Sequence, residues 1–312
     1  MQRTGTIFCL ASGASFGAMA IFGKLAYGEG VTVPTLLVTR FALAGALFWM
    51  LAFATGAARD LRTLSARDAA TGLALGAFGY ATQAGCYFAA LERIDASLLS
   101  LLLYTFPAMV AAAAVALGRE RMDARRLTAL VLASGGLVLV LAGAGPGGID
   151  PVGAALGLAA AVVYTAYILV SDRAVARIRP ELLSALVCSG AAVPLIAGSA
   201  LLGELQPGAV TAAGWGWLAL LTVVSTVAAI SFFFAGLRRV GPTTTSILAM
   251  VEPVVTVLLA YLVFHEVLGA AQIAGAALVL AAIPVLHARR SRRRSAARRP
   301  IAAREAEAVT GG

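Results

Sequence analysis

Apolar residues in this chain neither alternate with polar ones nor mark a single helical stripe. They come in unbroken runs of about twenty, the length that crosses roughly 30 Å of hydrocarbon. Ten runs are predicted as helices, at 5–26, 33–55, 69–91, 96–117, 126–145, 151–171, 181–203, 213–236, 242–264 and 269–288. Short polar or Gly/Pro punctuation separates them, as at Gln206-Pro207-Gly208 and Gly241-Pro242. The stretch Gly145 to Gly148 reads as a linker between two halves. The first run follows Arg3 as a signal peptide would, but it extends to Lys24 and Gly28-Glu29-Gly30. That is the length of a helix that stays.

The halves are copies of each other. A constant offset of 146 residues, the separation of Pro34 and Pro180, also places Leu91, Arg93, Ser100, Pro107 and Glu120 on Leu237, Arg239, Ser246, Pro253 and Glu266 without a gap. Each copy holds five runs, an odd number, so the second copy must enter the bilayer inverted. The expected organisation is an all-α integral membrane protein of ten transmembrane helices in two inverted five-helix repeats, 1–145 and 146–290, with a basic tail at 291–312. Inverted repeats are the usual frame of a carrier that opens alternately to either side.

Charge orients the frame. If the N-terminus is cytoplasmic, every Lys and Arg except Lys24, Arg40 and Arg93 falls in a cytoplasmic segment or at its edge, while Glu29, Glu92, Asp95, Asp150, Glu204 and Glu266 fall outside. This positive-inside asymmetry puts both termini in the cytoplasm of a plasma (inner) membrane protein. It also accounts for the net charge of +9, so no nucleic-acid partner is expected. With 60% hydrophobic and 12% charged residues the chain cannot cover a soluble globule. Cys9, Cys86 and Cys188 stand singly in apolar runs and suit neither a disulfide nor a metal site. The Arg289 to Arg299 cluster is expected to meet anionic lipid headgroups, at about 1 kcal/mol per charge.

The ordered motifs Leu91-Glu92-Arg93-Ile94-Asp95-Ala96-Ser97, Phe106-Pro107 and Gly118-Arg119-Glu120 are mirrored by Leu237-Arg238-Arg239-Val240-Gly241-Pro242-Thr243, Val251-Glu252-Pro253 and Phe264-His265-Glu266. Together with the duplication they resemble the EamA repeat of the drug/metabolite transporter superfamily, from about residue 5 to 288. The resemblance implies a carrier of small organic solutes such as amino acids, metabolites or drug-like compounds, often an exporter. The family's first helix commonly carries Trp-Gly where this chain has Phe16-Gly17.

Intramembrane charges are the first functional candidates, because each costs at least about 2.5–3.5 kcal/mol at a helix centre. Glu252 lies near the middle of the ninth run, immediately before Pro253, and is a candidate for solute or proton coupling. Arg40 lies two turns into the second run and must find an acceptor, since guanidinium keeps its charge. Their depths overlap, so each supplies the other's counter-charge if the two helices touch. Lys24, near a helix end, is expected to snorkel. Glu120 and Glu266 close the fourth helix of each repeat, where a carboxylate opposes the helix dipole, and are expected to lock onto a capping partner on the following helix or to gate. Pro107 and Pro253 are candidate helix breaks.

Tyr80, Gln83, Tyr87, Tyr104, Tyr164, Tyr167, Ser225 and Ser231 are polar groups at mid-depth and are expected to line a central cavity. Trp215 and Trp217 suit an interfacial belt. Neither a catalytic constellation nor a cofactor motif or metal-ligand cluster is legible. The reading is therefore a secondary transporter and not an enzyme, the rival being an integral-membrane enzyme acting on a lipid or small metabolite. A small-molecule solute and membrane lipids are the expected partners, and a homodimer is compatible.

Overall fold

The computed structural model describes residues 2–118, 124–142, 149–175, 178–240, 248–249 and 251–287. Glu120, the linker at 145–148 and the basic tail lie outside them. The described residues are helical, and no strand occurs among them. Among the described residues five helices, Arg3–Gly28, Val33–Ala54, Pro151–Val170, Pro180–Leu202 and Ala212–Leu237, are long and apolar enough to cross a bilayer. Shorter apolar helices, such as Ala96–Val110 and Val251–Phe264, accompany them.

Several of the helices are assembled from pieces. The first run forms α1 (Gln2–Gly17) and α2 (Met19–Gly28), and the second is α3 (Val33–Ala54). The third joins α4 (Ala66–Ala74) to α5 (Ala81–Leu91) through a π-helical segment at Leu75–Tyr80. The fourth divides into α6 (Ala96–Leu103) and α7 (Phe106–Ala116), and α8 spans Ala124–Ala142. In the second half come α9 (Pro151–Val175) and α10 (Pro180–Leu202), followed by α11 (Ala212–Thr222) and α12 (Ala229–Val240), which a π segment at Val223–Ala228 connects. The chain closes with α13 (Val251–Phe264) and α14 (Ala270–His287).

The π segment of the third helix recurs in both halves, and a break in the fourth helix is described in the first. Pro107 is the second residue of α7, and Pro253 lies in the first turn of α13. A proline is well tolerated there because the first turn has no intrahelical partner for its missing N–H. Pro107 therefore starts the second half-helix, and the break falls before it, at Tyr104–Thr105. The π segments leave carbonyls loosely held, a feature that concentrates at functional sites.

Helix pairing is reciprocal between the halves. The two fifth helices, α8 and α14, pack together, as do the two second helices, α3 and α10. The first helix of each copy packs on the third of the other, α1 on α12 and α9 on α5. Gly136 and Gly275 make the α8–α14 crossing close: a Cβ on either would stand 2.6 Å from the other's carbonyl oxygen. The ungapped offset needs a correction here. Gly5 meets Arg239 and Val240, whereas Gly153, not residue 151, meets Arg93 and Ile94. The first helices are thus displaced by two residues relative to the ends of the third helices they meet.

The interior is filled by Leu36, Phe41, Phe48, Phe88, Leu99, Leu102, Leu218 and Leu221, all fully buried. Large apolar residues cover the outside, with Phe78 79% and Leu201 87% exposed. Such a surface suits lipid and not water.

Candidate functional site

The break in the fourth helix of the first copy positions the first half of the site. Ending α6 at Leu103 frees Tyr104 to turn inward, where its hydroxyl donates to Glu252 Oε2 at 2.9 Å and lies 2.8 Å from the Ala249 carbonyl. Glu252 sits in the first turn of α13, where a carboxylate is favoured by the positive end of the helix dipole. Helix α1 presses close behind it. A Cβ on Gly17 would lie 2.7 Å from the Glu252 carbonyl oxygen, and Thr256 Oγ1 donates to the Gly17 carbonyl at 2.9 Å. A glycine after Phe16 is therefore required to admit α13.

Arg40 forms the other end. It is 2% exposed, donating from Nε to Thr226 Oγ1 at 3.0 Å and from Nη2 to Tyr80 Oη at 2.8 Å. Its guanidinium carbon lies 5.2 Å from the ring centre of Phe41, 5.3 Å from Tyr80 and 5.4 Å from Phe88. Three ring faces replace part of the lost hydration. Arg40 and Glu252 do not pair. Among the described residues neither has a partner of opposite charge, so the acceptors that hold Arg40 are hydroxyls.

An aromatic path joins the two ends. Tyr104 meets Phe106 at 5.8 Å between ring centres, Phe106 meets Tyr164 at 4.7 Å, Tyr164 meets Tyr167 at 6.3 Å, and Tyr167 meets Tyr80 at 6.2 Å. Tyr80, Tyr164, Tyr167, Phe106 and Glu252 are each half-buried. The hydroxyls of Tyr87, Tyr164 and Tyr167 form no hydrogen bond with another described residue, which leaves them available to a solute.

Other expected lining residues lie elsewhere. Ser225 is fully enclosed on the second π segment, and its hydroxyl has no partner among the described residues. Ser231 returns its hydroxyl to the Val227 carbonyl of its own helix. Gln83 is half-buried, one turn from Tyr87, and is outside the aromatic path. Pro107 and Tyr104 border a separate crevice beside Ala129, Ala133 and Val279. Trp217 stacks on Phe22 at 6.1 Å, and Trp215 is exposed. Sequence reasoning missed Thr226 and Phe106. A threonine and a phenylalanine in apolar runs carry no local signal, though Phe106 stands at the repeat position of Glu252.

Glu266 belongs to a second cluster. Its carboxylate accepts from the Ala96 and Ser97 N–H groups at 3.1 and 3.0 Å and from Ser97 Oγ at 2.9 Å, capping the N-terminus of α6. The capping partner is therefore the fourth helix of the opposite repeat, not the following helix. Lys24 does not snorkel but meets Glu266 at 2.7 Å and Asp95 at 3.6 Å. Burial alone would raise the Glu266 carboxyl, yet the Lys24 and Ser97 hydrogen bonds hold it below the usual carboxylate range. His265, at φ 56°, turns the chain at the end of α13 and aims the carboxylate across.

Fold and site define a duplicated, multi-pass helical membrane protein in which a path of aromatic rings runs from Arg40 to Glu252. Residues 3–142 and 151–286 each match the EamA-like transporter family, and the chain belongs to that family. A Bacillus subtilis (strain 168) protein described as "Uncharacterized transporter YcbK" is 27% identical over 277 residues, spanning 87% of this chain and 88% of the relative. An "Uncharacterized transporter" of Archaeoglobus fulgidus is 27% identical over 282 residues, 90% and 96% of the two chains. A solved structure described as "Crystal structure of protein" shares the fold, with a TM-score of 0.63 and 20% identity over 91% of this chain and 96% of that one.

Proposed function

We propose that this protein is a secondary transporter that carries a small organic solute across the plasma membrane by alternating access, in the direction of export. The observation that carries the reading is the aromatic path between Arg40 and Glu252, which would line the solute chamber and on which the Tyr164 and Tyr167 hydroxyls have no partner among the described residues. Charge placement and the odd number of runs per copy support ten spans, inverted repeats and cytoplasmic termini. Alternation would then rock one repeat against the other about the chamber. The clamp from Glu266 to α6 would close its outer end, since it ties the second repeat to the first.

Transport requires a site that holds solute without transforming it, and membership of a transporter family disfavours the enzyme reading. Counterflow in proteoliposomes tests this directly. Accumulation of labelled solute driven by unlabelled solute is expected, whereas conversion to a new product would establish an enzyme.

A further inference from the structure

We infer that the turn between α3 and α4 is a docking surface for an anionic phospholipid, with Arg59, Arg62 and Arg67 on its headgroup and Leu61 and Phe53 beside its acyl chain. The inference is independent of what the carrier moves. Helix α3 is long enough to cross a bilayer and ends at Ala54, so the turn that follows lies at a membrane face. It enters through Gly56 at φ 71° and continues as a 3₁₀ helix over Ala57–Arg62. With three residues per turn, side chains three apart stand one above the other. One row, Ala57 and Asp60, faces the protein: Ala57 is fully buried, and Asp60 accepts from Arg179 Nε at 2.7 Å while Arg179 Nη2 donates to the Gly56 carbonyl at 2.6 Å. A second row, Arg59 and Arg62, is turned away, and both residues are exposed.

The acids of this turn are already held. Asp60 pairs with Arg179, and Asp68 accepts from the Ser65 hydroxyl at 2.8 Å where Ser65 caps α4. Arg59, Arg62 and the exposed Arg67, in the first turn of α4, form no ion pair among the described residues. Guanidinium groups fork onto phosphate oxygens, and an arginine row at a bilayer surface attracts anionic headgroups. A soluble anion would satisfy the arginines alone. However, Leu61 on the third row is 39% exposed, and Met50 and Phe53, three apart on one face near the end of α3, are 59% and 67% exposed. Apolar side chains on the hydrocarbon side of a cationic row match an amphiphile, phosphate outward and chain inward. The Arg179 brace fixes the row beforehand, so little ordering is left to oppose binding.

The test uses the full chain in nanodiscs of phosphatidylcholine, with and without added phosphatidylglycerol, and reads modification of each arginine by the uncharged reagent phenylglyoxal. In the wild type, phosphatidylglycerol is expected to slow modification of Arg59 and Arg62 about fivefold or more relative to Arg93, which pairs with Asp150. Affinity is read separately, by titrating phosphatidylglycerol into the detergent-solubilised protein and following thermal unfolding. Arg59→Gln with Arg62→Gln and Arg67→Gln should weaken binding about tenfold or more, and Leu61→Ser by a smaller factor. Arg292→Gln with Arg293→Gln and Arg294→Gln removes as much charge from the tail and should weaken it less than the loop variant does. Inorganic phosphate should neither protect the arginines nor raise the unfolding temperature. The wild-type modification stands even if a variant fails to fold. Equal modification in the two nanodiscs, equal losses from loop and tail variants, an unchanged Leu61→Ser, or protection by inorganic phosphate each overturns the inference, the last by making the turn a free-anion site.

Discussion

Lys24 Nζ lies 2.7 Å from Glu266 Oε1, joining the first helix of one repeat to the end of the fourth helix of the other. The same carboxylate caps α6, so a single side chain ties together three segments remote in sequence. Glu266→Gln and Lys24→Met are each expected to lower the unfolding temperature. The charge exchange Lys24→Glu with Glu266→Lys should recover only a small part, because lysine cannot accept from the Ala96 and Ser97 N–H groups. Full recovery would mean that charge alone forms the clamp.

The depressed Glu266 carboxyl has a signed consequence for pH. A carboxyl lowered by folding adds stability above its unfolded value, about 4.3, and loses it as pH falls through the folded one. Thermal unfolding of the wild type should therefore deteriorate below about pH 4.3 more steeply than that of Glu266→Gln. Parallel curves would remove the carboxylate from the clamp.

Thr226 and Tyr80, not Glu252, hold Arg40. Thr226→Val should cost about 1–3 kcal/mol, the penalty for leaving a buried donor unpaired. A double-mutant cycle of Arg40 with Tyr80 should show coupling in thermal stability. In the absence of solute, the corresponding cycle with Glu252 should be additive. Strong apo coupling between Arg40 and Glu252 would contradict the separation seen here.

His265 occupies the left-handed region at the end of α13, where glycine is the usual residue. The conformation costs a non-glycine residue about 1–2 kcal/mol. His265→Gly is expected to keep the clamp and match or raise thermal stability, whereas His265→Val should lower both stability and transport. An unchanged Val variant would show that the turn is not required.

At the α8–α14 crossing, Gly136→Ala should gain about 1 kcal/mol of helix propensity and lose more to the clash with the Gly275 carbonyl, overpacking typically costing about 1–3 kcal/mol. A lower unfolding temperature is expected. A gain would show that the helices separate freely.

The positions of the helices, the duplication and the charged candidates were legible in the residues. Apolar run length, proline placement and the sign of loop charges are local quantities, and each registers in a short window of sequence. Glu252 and Arg40 could be singled out because a charge in a long apolar run is costly wherever the run packs. Their partners could not. Thr226 is 186 residues from Arg40, Ser97 is 169 from Glu266, and the aromatic path draws on three separate helices. Both Arg40 and Glu252 have acceptable depths for pairing, yet the rotation and crossing of their helices give each to a hydroxyl instead. Membership in a duplicated helical transporter family thus follows from the one-dimensional pattern of the chain. Which polar groups meet follows from helix rotation, which the summed packing of many small contacts sets and no short window contains.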